Sequence, residues 1–409
     1  MESVGDQRTR TVAAVALAGS RADAPQAGTG PMQFDVVVVG AGLHGGLIAL
    51  ALLDAQPGLR LALVERDARP AGNHTWCFHL GDAPPDAGAW FERLPLIRWP
   101  GYQVAFPGFA RALDLPYCCL TSDGLATALQ DAFAAHEAAR LITGCAVQAQ
   151  DAGSVTLADG RRLHAALVID AGGRSDVGRG GYQKFLGLEV ELAADSGLDR
   201  PLLMDACLPQ GPQFRFMYVL PLAPRRLLIE DTAFARTPDL NTAARREAIH
   251  AYAADRGWVI QRVLREESGV LPMPWRGLPP APTRPLKVGY GGGWFHPATG
   301  YSAPCALRMA NLLARHWRAP HAALRREWRR HRRQFRLGLL LNLLAFRGFA
   351  PDLMWHPFAR FYRLPVATIG RFYRLQSTAV DVARLLLGRP PRGFGSAWWP
   401  NKKAREVSV

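Results

Sequence analysis

Phe34-Asp35-Val36-Val37-Val38-Val39-Gly40-Ala41-Gly42-Leu43-His44-Gly45 is the stretch that decides how this chain folds. The 34–39 run is apolar and β-branched, the pattern of a strand buried on both faces in a parallel sheet. Residues 43–55 read as a helix and 59–65 as the next strand. Gly40, Gly42 and Gly45 therefore fit G-x-G-x-x-G at a strand-to-helix turn, and Glu65 stands about twenty residues past the last glycine. This is a dinucleotide-binding βαβ unit. Gly40 permits the tight turn, Ala41 and Gly42 bring backbone close to a pyrophosphate, and Gly45 lets helix and strand pack closely. The helix N-terminus offers unpaired N–H groups and a positive dipole end to phosphates, and Glu65 is placed to accept hydrogen bonds from ribose hydroxyls.

Two later Gly-rich strand ends favour FAD over NAD. Asp170-Ala171-Gly172-Gly173 follows a buried strand at 166–169, with Asp170 and Gly172 placed to touch the dinucleotide. The 291–300 turn ends at Gly300, ahead of a helix from about Ala303. That helix would point its positive end at the flavin and stabilise negative charge on the reduced ring. Between these returns lie a helix at 122–136 with Thr121 or Ser122 as N-cap, and a hairpin turning at Asp159-Gly160. Strands at 216–220 and 226–230 and a helix near 242–256 follow. The predicted fold class is α/β, an FAD-binding Rossmann-type (flavin-hydroxylase-like) fold with an interleaved, mainly β substrate domain and a basic α-helical C-terminal region. The expected divisions are a leader at 1–31, the FAD-binding part at 32–181 with its hairpin insertion, and the β-rich substrate part at 182–284. The chain then returns to the FAD domain at 285–318, and ends in a helical, basic, membrane-facing region at 319–395 and a tail at 396–409.

The chain has 409 residues, 49% hydrophobic and 20% charged, and a net charge of +15. This fits a folded protein, and the charge excess is local. From Arg315 onward there are about twenty Lys/Arg against four acids, which accounts for the whole excess. The cations alternate with Leu, Phe and Trp, a mixture that suits an anionic membrane surface better than a phosphate groove, so nucleic acid is not the expected partner. The apolar core at 337–346 is about ten residues, half of the roughly 20 a spanning helix needs. Six cysteines show no C-x-x-C and no metal-ligand spacing, which points to reduced, mostly buried thiols and to no metal site.

Several blocks together resemble one family. They are Gly40–Gly45, Gly72-Asn73-His74-Thr75-Trp76, Met204-Asp205-Ala206, the 221–232 run ending Ile229-Glu230-Asp231-Thr232, and Phe295-His296-Pro297 with Thr299-Gly300-Tyr301-Ser302. With Arg360-Phe361-Tyr362 and Arg371-Phe372-Tyr373 they are similar, in order over nearly the whole chain, to the bacterial lycopene β-cyclases. Two departures are His44, where the family often carries small or polar residues, and Phe234, where relatives often carry Tyr. The resemblance implies a proton-initiated cyclisation of the acyclic ends of lycopene to β-ionone rings, giving β-carotene through γ-carotene. It implies no net redox, a need for reduced FAD, and NAD(P)H as upstream reductant. It also implies related acyclic carotenoids as substrates and neighbouring carotenoid enzymes as partners. The expected location is peripheral, on the cytoplasmic side of a bacterial inner membrane.

That chemistry needs a strong acid, a wall that tolerates a carbocation, and exclusion of water. Glu230, at the end of the apolar run Leu227-Leu228-Ile229, is the first candidate acid, because a desolvated carboxyl holds its proton near neutrality. The resemblance places the catalytic acid there too. The competing reading is a structural carboxylate paired with Arg225 or Arg226. Asp231 points to the opposite face of a continuing strand. Asp205 is a second candidate, as acid or as flavin-side positioning group. Glu189 and Glu191 read as ion-pair or surface groups. His74, Trp76, Phe295, His296 and Tyr301 are candidate pocket residues, with Trp76 able to face a cation through its π system. Two rival functions keep the same fold. One is a flavin-dependent hydroxylase or desaturase of an isoprenoid lipid. The other is a non-catalytic prenyl-lipid binding module, against which the intact glycines and Glu65 argue.

Overall fold

The computed structural model of the protein describes residues 32–173 and 179–397. The expected leader at 1–31 and all but the first residues of the expected tail lie outside the described residues. Two seven-stranded sheets organise the chain, and a smaller antiparallel sheet of Thr75–His79, Tyr117–Thr121 and Ile97–Trp99 joins them. In the first, parallel strands run in the order Arg140–Ile142, Leu61–Val64, Met32–Val39 and Arg162–Asp170, and Leu286–Lys287 adds beside the end of the last. The hairpin strands Ser154–Leu157 and Val147–Gln150 extend the sheet antiparallel. The two arms expected at 162–163 and 166–169 are one continuous strand. It lies beside Met32–Val39 from Leu163 to Asp170, and its first residues, 162–164, pair with the hairpin on their other side. Helix Leu43–Ala55 is apolar almost all round and is accordingly buried, between this sheet and the Ala303–His316 helix.

The second sheet has seven strands, in the order Ile260–Arg276, Arg179–Leu192, Arg226–Ala235, Phe214–Ala223, Leu202–Asp205, Tyr102–Phe106 and Phe109–Leu113. The period-two alternation of Arg226–Ala235 sorts its side chains. Leu227 and Ile229 pack with Leu188, Val190 and Ile249 under helix Thr242–Asp255, while Leu228 and Phe234 join the core on the other face. The sequence places residues 32–181 in the FAD-binding part, yet 102–113 supplies two strands to the second sheet, and the 179–192 strand begins before the expected boundary. The chain crosses between sheets here because the Tyr102–Phe106 strand pairs with Leu202–Asp205, a partner about a hundred residues away that no local pattern announces.

The C-terminal helices His321–Gly348, Trp355–Phe361, Val366–Tyr373 and Ala379–Leu386 lie over the second sheet. Phe346, Phe349, Tyr362 and Phe372 are buried in its core, so the region read as membrane-facing is also a roof. On the outside of His321–Gly348, the positions Arg325, Arg329, Arg333, Arg336, Leu340, Leu343 and Arg347 are all exposed at helical spacing. No helix among the described residues is long and apolar enough to cross a membrane. All six cysteines are free, and four are buried.

Candidate active site

Between the two sheets and the helical roof runs one cavity of about 790 Å³. At one end it is lined by Gly42, Ala171 and Gly173, at the other by the exposed Leu386, Gly388, Pro390 and Phe394. Its middle is aromatic, with Trp76, Phe216, Phe234, Phe346 and Phe358 on the wall. The ring of Phe358 stacks on Phe214 at 5.0 Å and meets Phe234 edge-on at 5.4 Å, so this wall is a packed aromatic layer.

The dinucleotide end has the shape its sequence requires. Gly40 sits at φ +93°, and a Cβ there would stand 2.7 Å from the Ala171 carbonyl oxygen. A Cβ on Gly45 would lie 1.9 Å from the Gly40 carbonyl oxygen, so helix and turn meet only because both are glycine. A Cβ on Gly42 would meet nothing within 4 Å, because this residue faces the cavity. Glu65 accepts from the Ala41 N–H at 2.8 Å and from the Asp67 N–H at 3.1 Å, which ties the second strand to the glycine loop. The Asp170 carboxylate accepts from the Gly172 N–H at 3.0 Å and fixes the second turn beside it. Gly300, at φ +70°, Ser302 and Ala303 bring the start of the Ala303–His316 helix to the same end of the cavity. A glycine cradle open on its ligand side, an acidic acceptor and a free helix end fit an adenine dinucleotide. His44 does not change the charge of this loop, because burial pushes its imidazole down to about 3 and leaves it neutral.

Glu230 lines the middle of the cavity. It is half-buried, and what it exposes faces the cavity. Its carboxylate accepts from the Thr232 hydroxyl. Neither neighbouring arginine reaches it: Arg226 pairs with Glu189, and Arg225 bonds the Leu192 carbonyl and Gln261. Desolvation, with the nearby Glu267 and Asp231 adding to it against the Thr232 hydrogen bond, pushes Glu230 up to about 8. Asp231 points to the opposite face, as the alternation requires, and is held there by Arg215 at 2.9 Å and Arg245 at 3.1 Å. Glu189 and Glu191 pair with Arg265 and Arg262, the ion-pair role their spacing suggested.

His74, Trp76 and Tyr301 line the cavity, together with Thr75 and Cys77. The Tyr301 hydroxyl is 2.7 Å from that of Tyr117, which in turn is 3.2 Å from that of Tyr218. Three expected residues lie elsewhere. Asp205 is turned away from the cavity and buried against Tyr252 (2.7 Å) and Arg256, and its other oxygen accepts from the Cys207 N–H. Phe295 packs into a separate small core, stacked on Tyr290 at 4.7 Å and edge-on to Phe335. His296 is buried in a turn, where its Nδ1 accepts from the Ala298 N–H and its Nε2 lies 3.1 Å from the Phe372 carbonyl oxygen. The 295–302 block thus faces the cavity only from Ala298 onward. Glu267, which also lines the cavity, was not singled out by sequence; its signal is the alternation Arg265, Glu267 along one face of the Ile260–Arg276 strand. Among the described residues no group of His, Cys, Asp and Glu is arranged to hold a metal ion.

The family model described as lycopene cyclase protein matches residues 35–397. The chain belongs to the lycopene cyclase family. It is 39% identical to the lycopene beta-cyclase of Pseudescherichia vulneris, over 89% of this chain and 96% of that protein. To the lycopene beta-cyclase of Pantoea ananas it is 39% identical, over 88% and 95%. Among solved structures, a geranylgeranyl bacteriochlorophyll reductase-like protein from Thermoplasma acidophilum superposes with a TM-score of 0.59 at 13% identity, covering 87% of this chain and 96% of that one. A variant of the halogenase PltM in complex with FAD gives 0.56 at 14%, covering 86% and 85%. These two establish the flavoprotein fold, and the family members carry the relationship in sequence.

Proposed function

We propose that this protein is a lycopene β-cyclase, closing each acyclic end of lycopene to a β-ionone ring without net redox change. The observation that carries the reading is Glu230, a carboxyl without a cation partner on the wall of an aromatic cavity that starts at the dinucleotide loop. Glu230 gives its proton to the terminal double bond. The tertiary cation closes onto the neighbouring double bond, and the carboxylate left on Glu230 takes up the ring proton, which gives the β-end group and restores the acid. Trp76, Phe216, Phe234, Phe346 and Phe358 line this part of the cavity, an aromatic wall able to stabilise positive charge and, once substrate fills the space, to keep water from quenching it. The Gly40–Gly45 loop, Glu65, the Asp170–Gly173 turn and the start of the 303–316 helix would hold FAD. Reduced FAD, when bound, would supply electron density that steadies positive charge in the pocket, with NAD(P)H as the upstream reductant that first forms it.

The same reading places the protein peripherally on the cytoplasmic face of a bacterial inner membrane. The cavity ends at exposed Leu386 and Phe394, next to the 69% exposed Leu387 and to Arg384, Arg389 and Arg392, which supports docking of this mouth on anionic lipid. The exposed basic and apolar stripe on His321–Gly348 supports the same surface.

The test is conversion of lycopene to β-carotene by the flavin-reduced protein under anaerobic conditions, with pigment analysis in lycopene-accumulating cells. The expected result is cyclisation with no stoichiometric nicotinamide oxidation. Strict dependence on O2 would overturn the reading.

A further inference from the structure

Three strands of the second sheet place Glu230, Gly187 and Glu267 abreast. Gly187 pairs with Glu230 on one side and with Glu267 on the other. Residues abreast in a sheet carry their side chains on the same face, and strands lie about 4.8 Å apart, so the two glutamate backbones stand about 10 Å apart. The residue between them has no side chain. A Cβ on Gly187 would lie 3.3 Å from the Glu267 Cγ and 3.6 Å from the Glu230 Cβ, so both glutamates lean over the glycine. Both line the same cavity.

Their partners differ. Glu267 is 5% exposed and receives the Arg265 guanidinium at 2.6 Å and the Thr75 hydroxyl at 3.1 Å. Arg265 is itself fixed by Glu189 at 2.9 Å and donates to the Thr75 hydroxyl at 2.7 Å. Glu230 has the Thr232 hydroxyl and no cation in contact. Burial raises the Glu267 carboxyl above its ordinary value, but Arg265 and the Thr75 hydroxyl favour its charged form, so of two carboxyls sharing one apolar wall the proton goes to the one without a cation.

We propose that Glu267 is the positioning partner of Glu230, an anion held by Arg265 and Thr75 whose charge across Gly187 keeps the proton on Glu230. This rests on the reading of Glu230 as the acid. Other groups around Glu230 are Tyr218, abreast of it on the Phe214–Ala223 strand, and Asp231 with its Arg215 and Arg245 partners behind the sheet. Around Glu267 stand Arg265, Glu189 and the Cys119 thiol, with His74 on the far side of Arg265's charge. Tyr218 stays neutral, because burial raises its phenol well above the ordinary value, and Asp231 is already compensated by two arginines. Glu267 is therefore the anion whose removal changes the field at Glu230 most.

The experiment is an infrared titration of the flavin-loaded protein, following the carbonyl stretch of protonated Glu230, identified by its loss in Glu230→Gln. In Glu267→Gln the midpoint should fall by about one pH unit, as loss of a neighbouring buried anion predicts. The alkaline limb of kcat should fall with it, and Glu267→Asp should restore both. Gly187→Ala, whose methyl would stand between the carboxyls 3.2 Å from Leu228 and 3.3 Å from the Glu267 side chain, lowers the local dielectric with both carboxyls kept and should raise the midpoint. An unchanged midpoint in Glu267→Gln, or in Gly187→Ala if the first variant does not fold, would overturn the proposal. Cyclisation that survives Glu230→Gln would instead remove the acid assignment, while the titration still reports whether the two carboxyls are coupled.

Discussion

Replacing Glu230 by Gln exchanges a carboxyl for a neutral group of the same shape, and it should move activity and stability in opposite directions. Burial holds Glu230 up at about 8, against 4.5 for a free side chain. At neutral pH the folded protein keeps this proton and the unfolded chain has lost it, so folding takes up a proton. The stability present below about pH 4.5 is then lost progressively as the pH rises toward about 8. At pH 7 the gap from the free value is about 2.5 units, worth about 3 kcal/mol at roughly 1.4 kcal/mol per unit, which contact with cavity water reduces to about 2. Gln carries none of this cost. The variant should match wild type near pH 4.5, exceed it by about 2 kcal/mol at neutral pH, and hold a constant lead above about pH 8. Turnover should drop by about 10²–10⁴, the usual contribution of a positioned general acid. Parallel urea unfolding of the flavin-loaded proteins at acidic, neutral and alkaline pH, with pigment turnover on the same samples, measures both effects. A stability difference that does not vary with pH, or turnover within about tenfold of wild type, would refute the reasoning.

Gly42→Ala should fold with a stability change within about 1 kcal/mol yet purify without the flavin absorption bands, since the added methyl meets only the ligand space. Gly45→Ala should lower the yield of folded protein as well, because its methyl would collide with the Gly40 carbonyl. Phe234→Ala opens the wall beside Phe216 and Phe358. It should cost about 3 kcal/mol by thermal unfolding and divert product toward hydrated, tertiary-alcohol carotenes by chromatography. Asp205→Asn should destabilise by about 1–2 kcal/mol, since it removes a buried carboxylate paired with the exposed Arg256, and leave kcat within about threefold. Neutralising Arg325, Arg329, Arg333 and Arg336 together should weaken binding to anionic liposomes by more than about tenfold, at about 1 kcal/mol per cation, with neutral liposomes as the control.

Sequence alone determined the parts of this protein that depend on neighbours along the chain. The Gly40–Gly45 turn and the Leu43–Ala55 helix read correctly because steric needs at a strand-to-helix turn are local, and period-two alternation put Glu230 and Asp231 on opposite faces for the same reason. The resemblance to the cyclases was legible in the same way, as ordered blocks of residues. Inside a block, however, the facing of each side chain was not legible. Phe295 and His296 share a motif with Tyr301, yet a turn ending at left-handed Gly300 sends the first two into core and the last into the cavity. Asp205 looked like an acid because sequence cannot show that Arg256 and Tyr252, about fifty residues on, close around it. Only the tertiary structure set Glu267 abreast of Glu230 across Gly187, because strand register is fixed by pairing between segments far apart in the chain. It also decided that the basic C-terminal helices roof the cavity, since their apolar faces find the second sheet only once that sheet exists.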